Sequence, residues 1–281
     1  MIDFEFEFQY AEEKQPALKK IGGSIPAGRC VVLCGGSGCG KSTLLRCING
    51  LIPQFYEGEL KGFCRLNGQD TAGLRIGEIG ELAASVFQDP RSQFFTVNSS
   101  NEVAFGLENH GLPQKTIRQR VEEAFRVFHL ERLKDRNVYE LSSGERQFIS
   151  ILSAWAMDTD IFLLDEPTAN LDFVATRQLK EILLALKRQG KTLLLSEHRL
   201  CDVQPYSIQK GVFHHVHCAG PRFGDSFYHF CHVFRCVNGM AVMLRRGWRR
   251  SSGASAQGFP TVSVSLPRRQ ASRPKQQEPA P

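Results

Sequence analysis

Residues 35–42 read GGSGCGKS, which satisfies the pattern GxxxxGK[ST]. They follow a short apolar run, Val31, Val32 and Leu33, and precede a stretch from Lys41 that turns helical. A strand that ends in glycines and opens directly into a helix constrains the fold more than any other feature of the chain. Glycines let backbone amides point inward, and a helix N-terminus adds positive potential, so the loop is built for a polyphosphate. Gly35, Gly36, Ser37, Gly38, Cys39, Gly40 and Thr43 would line it. Lys41 can reach the β- and γ-phosphates, and the Ser42 hydroxyl can hold Mg²⁺. Chance matches in a chain of this length are on the order of one in a hundred at ordinary glycine usage. The loop implies nucleotide binding without choosing among kinases, GTPases, helicases and transport motors.

The flanking segments set the fold class. Phe4, Phe6, Phe8 and Tyr10 share one face of an alternating strand, with acids and Gln9 on the other. Ile161–Leu164 and Thr192–Leu195 read as short buried strands. Ile117, Val121, Phe125 and Phe128 form the core stripe of one helix; Leu179, Ile182, Leu183 and Leu186 form that of another, and a third helix opens at Gly144. Strands alternating with helices predict an α/β domain around a largely parallel sheet, with the helix-rich stretch from about 98 to 158 as an insertion. There is no internal repeat.

Further chemistry lies downstream. The strand IFLLDE delivers Asp165 to the phosphate edge, where it can hold Mg²⁺, followed by Glu166, which can polarise an attacking water. LSSGERQ, residues 141–147, opens a helix. Taken alone, Ser142 or Ser143 is a helix cap and Glu145 adds favourable charge. Asp172 likewise reads as a cap, Gln88 as a polar loop residue beside Pro90, and Tyr10 as an ordinary aromatic ending a strand.

In order along the chain, CGGSGCGKST, LSSGE, IFLLDEP, ANLD and SEHR resemble the Walker A, signature, Walker B, D-loop and switch-histidine motifs of the ATP-binding-cassette (ABC) ATPases. The resemblance spans about residues 2–200. It implies a P-loop NTPase with a RecA-like core, an antiparallel β subdomain and an inserted α-helical subdomain at roughly 89–158. It also implies Mg²⁺-dependent ATP hydrolysis, with Glu166 as base, Lys41 stabilising phosphate charge and His198 contacting the γ-phosphate. Gln88 would sense Mg²⁺ and the lytic water, and Tyr10 would stack on adenine. Ser142 and Gly144, with Ser143 between them, would contact the nucleotide of a second cassette, so two copies sandwich ATP, and Asp172 resembles the D-loop aspartate among the nucleotide-binding residues. Ser143 stands where the family usually has glycine, and Glu145 where glutamine is common, a departure that suggests a non-identical partner cassette.

The segment VFQDPRSQFFTVNSSNEVAFGLEN resembles ATPase subunits of energy-coupling-factor (ECF) importers of vitamins and transition-metal ions, and LSSGERQ resembles the first half of a duplicated ATPase. The implied partners are a transmembrane coupling component and a substrate-binding membrane protein, the chain being peripheral on the cytoplasmic face of the membrane. Phe94 and Phe95 are candidate contacts for that component, or core. The alternatives are a soluble, non-transport ABC ATPase and a truncated or frameshifted ATP-binding fragment. No stretch of eighteen apolar residues and no signal peptide is visible, which points to the cytoplasm.

Residues 1–200 hold 24 Lys and Arg against 26 Asp and Glu, whereas 201–281 hold 11 against 3. The net charge of +6 therefore belongs to the C-terminal part and gives no reason to expect a nucleic-acid partner for the cassette. That part also carries five of the eight histidines and four of the nine cysteines, at spacings that match no closed zinc site. Without sustained periodicity, 201–281 reads as a basic, largely disordered tail, reached by a shifted reading frame or a fusion. A cassette ending at 200 lacks its usual closing strands, which predicts an exposed sheet edge and a tendency to aggregate.

Overall fold

The computed structural model describes residues 1–197 and, beyond them, the backbone of three strands at 213–218, 236–237 and 240–243. In chain order the elements are β1 (Ile2–Tyr10), β2 (Leu18–Ile25), β3 (Cys30–Cys34), α1 (Lys41–Ile48), α2 (Leu51–Gln54), β4 (Gly58–Leu66), β5 (Gln69–Asp70), α3 (Ile76–Leu82) and β6 (Ala83–Val86). Then follow α4 (Ser99–Asn109), α5 (Gln114–Val127), α6 (Ser143–Ala156), β7 (Ile161–Asp165), α7 (Phe173–Arg188), β8 (Thr192–Glu197), β9 (Phe213–Cys218), β10 (Cys236–Val237) and β11 (Met240–Met243).

Two sheets result. The first is antiparallel, in the order β2-β1-β4-β5; the second has the order β10-β11-β9-β3-β8-β7-β6 and is parallel from β9 to β6. β3, β7 and β8 are buried and mainly apolar on both faces, as a sheet covered on both sides requires. Cys30, Val32 and Cys34 of β3, Phe162 and Leu164 of β7, and Leu193 and Leu195 of β8 join one core with α4 to α7. The alternate residues Val31, Leu33, Ile161, Leu163 and Leu194 join a second core with α1 and the Phe4–Phe6–Phe8 face of β1. One sheet thus serves two cores, with period-2 alternation deciding which residue goes where.

The expected stripes are the buried ones: Ile117, Val121 and Phe125 on α5, and Leu179, Ile182, Leu183 and Leu186 on α7. The expectation that no sheet strand follows residue 200 is corrected. The β9 backbone pairs in parallel with β3, from Cys30↔Phe213 to Cys34↔His217, and β11 and β10 extend the sheet beyond it. The physical reason is the edge of β3, whose row of amides and carbonyls needs a partner in a covered sheet.

Candidate functional site

The phosphate loop joins β3 to α1, and the turn into the helix is made by Gly40 at φ 96°, a left-handed conformation that costs glycine nothing. Lys41 begins the helix with its side chain only 3% exposed. Its ammonium donates to the carbonyls of Gly35 (2.8 Å) and Gly36 (3.1 Å) and lies 3.8 Å from the Glu166 carboxylate. The loop thus folds around its own lysine, which holds a buried cation at the N-terminus of an eight-residue helix.

Opposite it stand the ends of β7 and β8. The Ser42 hydroxyl donates to Asp165 Oδ1 at 3.0 Å, and Ser196 Oγ donates to the same oxygen at 2.5 Å. Glu166 follows Asp165 at φ 46°, a strained position held by its amide donating to both Ser196 O (3.1 Å) and Ser196 Oγ (2.9 Å). Gln88 Nε2 donates to Glu166 Oε2 at 2.9 Å. Lys41, Ser42, Gln88, Asp165 and Glu166, spread over 125 residues of sequence, therefore meet at one end of the parallel sheet. Tyr10 stands beside them, its hydroxyl 3.1 Å from Thr43 Oγ1 and its ring edge-on to Phe8.

The Gln88 segment is held from behind. Gln93 accepts from the Phe87 amide and donates to Ser85 O, and the buried Glu102 carboxylate accepts from the amides of Phe95 (3.0 Å) and Thr96 (2.8 Å). Phe94 packs on the core, whereas Phe95 is 74% exposed and stacks on Phe105. A cavity of about 350 Å³ opens between Ser42, Arg46, Tyr56, Phe87, Gln88 and Asp165, with the Arg46 guanidinium 4.5 Å above the Tyr56 ring.

Ser142, Ser143, Gly144 and Asp172 form a second cluster. Ser142 caps α6: its hydroxyl accepts from the Glu145 amide and donates to Glu145 Oε2, which also accepts from the Ser142 amide at 3.0 Å. Arg132 pairs with the other carboxylate oxygen. Burial pushes the Glu145 carboxyl up, but these hydrogen bonds outweigh it and hold it below the usual carboxylate range. Asp172 caps α7 through the Ala175 amide at 2.7 Å. A side chain on Gly144 would meet Ala175 Cβ at 2.7 Å, so α6 and α7 approach this closely only because residue 144 has none.

His198 lies outside the described residues. Sequence reading singled out neither Ser196, Thr168 nor Glu102. Thr168 donates to the buried Glu197 at 2.7 Å, and Ser196 fixes both acids at the end of β7. The signal for Ser196 is the register Asp165↔Ser196, which exists only once β7 and β8 pair, whereas Glu102 is set apart by its burial against the Phe95 and Thr96 amides.

Among the described residues, the Ser42 hydroxyl, the Gln88 side-chain amide oxygen and the Asp165 carboxylate are the oxygen groups that would hold Mg²⁺, a hard cation that takes oxygen ligands. When bound, the ion would neutralise phosphate charge.

The ABC transporter family model matches residues 18–169. A Treponema denticola protein described as an ABC transporter ATP-binding protein is 44% identical over 193 residues, 69% of this chain and 40% of the relative. A Methanosarcina mazei protein of the same description is 38% identical over 205 residues, 72% of this chain and 35% of its own length. The chain thus spans about two fifths or less of the curated relatives it matches. Among solved structures, cbiO1 from Clostridium perfringens, part of the ABC transporter complex cbiONQ, superposes with TM-score 0.65 at 30% identity, covering 73% of this chain and 81% of that one. The ATP-binding cassette MJ0796, a dimer in a post-hydrolysis state bound to ADP and Pi, superposes with TM-score 0.62 at 25% identity, covering 73% and 91%.

Proposed function

The chain belongs to the ABC transporter ATP-binding family, and from that premise we propose that it binds and hydrolyses ATP to energise an ECF-type importer of vitamins or transition-metal ions. The observation that carries the reading is the meeting of Lys41, Ser42, Gln88, Asp165 and Glu166 at one end of the sheet.

The resident hydrogen bonds suggest how the site works. Lys41 is held by carbonyls of its own loop, so an entering triphosphate exchanges those contacts for phosphate oxygens while the cation stays in place. Ser42 and Asp165 would hold Mg²⁺. Glu166 is fixed at its amide by Ser196 and at its carboxylate by Gln88, which leaves it oriented to draw a proton from a water aimed at the γ-phosphate. Ser142 and Gly144, at the N-terminus of α6, would seal the nucleotide of a second cassette, and His198 would contact its own γ-phosphate.

The ECF assignment rests on the segment from Val86 to Asn109, on likeness to a component of a cbiONQ complex, and on relatives more than twice as long as the matched region. The partners under this reading are a second, non-identical cassette, a transmembrane coupling component and a substrate-binding membrane protein. The chain would sit at the cytoplasmic face of the membrane; no helix among the described residues is long and apolar enough to cross one. The cassette is assigned to residues 1–200, with 201–281 a basic extension that contributes strands to the sheet.

Calorimetric titration of the full chain with Mg-ATP tests the nucleotide half: heat with saturable binding is expected, and its absence rejects the reading. Co-purification with a membrane component encoded beside it tests the transport half, and reconstituted hydrolysis indifferent to that component would reject it.

A further inference from the structure

Between Glu166 and the helix cap at Asp172 runs a short segment with two non-glycine residues in the left-handed region, Glu166 at φ 46° and Asn170 at φ 69°. Each such residue persists only where its surroundings over-determine it. The restraints are visible. The Ala169 amide donates to Glu166 O (2.9 Å), the Leu171 amide to Thr168 O (3.1 Å), and the Thr168 hydroxyl to Glu197 (2.7 Å). The last restraint comes from another motif: the Ser143 hydroxyl donates to the Asn170 carbonyl at 2.7 Å, bridging 27 residues.

Glycine at 143 has no group that could make this bond. One residue further, Gly144 packs against Ala175 on α7 with no room for a side chain. The start of α6 is therefore tied twice to the segment that begins at Glu166, by a hydrogen bond and by a close approach.

We infer that Ser143 is a positioning residue, whose hydroxyl makes the N-terminus of α6 follow segment 166–172 and so reports the occupancy of this chain's own phosphate loop to the signature it offers a partner. The inference rests on the proposed ATP-binding reading. Glu166 contacts Lys41 and Gln88, both of which face the loop, so a phosphate arriving there disturbs Glu166 first. Residues 167–170 carry the displacement to the Asn170 carbonyl, and the Ser143 hydroxyl passes it to α6. Ser143 acts through the backbone of another segment and needs no contact with nucleotide for this role.

Hydrogen exchange by mass spectrometry on the full chain, held at a dilution where light scattering shows a monomer so that no second cassette covers 142–146, with and without Mg-ATP, reads the coupling directly. In the natural protein, Mg-ATP should slow exchange at 35–43, at 168–172 and at 142–146 together. In Ser143→Ala, protection at 35–43 and 168–172 should persist, while that at 142–146 falls by at least half; Ser143→Thr, which keeps the hydroxyl, should restore it. Asn170→Gly, which relaxes the backbone carrying the acceptor carbonyl, should decouple in the same direction and serves if the alanine variant folds poorly. Equal protection at 142–146 in the natural protein, Ser143→Ala and Asn170→Gly would overturn the inference. Loss of protection at 35–43 in the natural protein would instead overturn the ATP-binding reading.

Discussion

The two clusters are stabilised in opposite ways. At the phosphate loop a buried lysine, a buried glutamate and a strand-end aspartate converge from distant parts of the chain, and each charge is held by a neighbour. At the start of α6 the residues are mostly exposed, close in sequence, and satisfied by a local capping box and a bond to the next loop. The first cluster holds buried charges ready to exchange partners. The second is a pre-shaped edge whose polar groups already bond one another. A half-site that stores charge and a half-site that stores shape are complementary, as the proposed pairing of two cassettes requires.

That contrast can be broken from the charged side first. Lys41→Ala should abolish measurable Mg-ATP binding and lower turnover by about 10²–10³-fold or more, by analogy with loss of a transition-state charge donor; calorimetry and phosphate release check both. Glu166→Gln should lower turnover by about 10²–10⁴-fold, the range of general-base catalysis, and keep Mg-ATP binding. Under the proposed mechanism it should also accumulate an ATP-bound dimer, visible by size-exclusion chromatography with light scattering. Turnover left intact would remove Glu166 from its role.

The shaped side should respond in stability instead. Gly144→Ala forces a methyl group into the Ala175 contact and should cost about 1–3 kcal/mol, read from the urea midpoint. Glu145→Gln should give the smallest effect, about 1 kcal/mol, by weakening the capping box. Its sign with pH follows from the lowered carboxyl. A folded-state value below the unfolded one contributes stability above the ordinary carboxylate range and loses it as pH falls through the folded value. The natural protein and Glu145→Gln should thus differ at neutral pH and converge in acid, and a constant difference across the range would show that Glu145 acts through shape alone.

What could be read in advance follows the same division. β1, β3, β7 and β8 were legible because alternation or an unbroken apolar run marks them, and α5 and α7 because their apolar residues repeat at helical spacing. β4 carried a readable signal, with Leu60, Cys64 and Leu66 on one face. β2 did not: Gly22 and Gly23 interrupt its middle, and it is a strand because β1 needs a partner. Within the site, residues of a local motif were found, and residues that act across a strand register were not. Ser196 opens SEHR and Thr168 lies between IFLLDEP and ANLD, but their partners Asp165, Glu166 and Glu197 are reached only when the strands pair, and Glu102 is one acid among several until folding buries it beneath the Phe95 and Thr96 amides.

The pairing of β3 has a consequence for how the molecule is made. Its neighbours β8 and β9 begin at Thr192 and Phe213, so the strand that carries the phosphate loop leaves the ribosome long before anything exists to lie beside it. With about 160 residues still to be translated at roughly 5–20 per second, the nascent chain holds this apolar strand bare for on the order of ten to thirty seconds. The strand that leads into the phosphate loop can therefore reach its final pairing only after the later strands emerge.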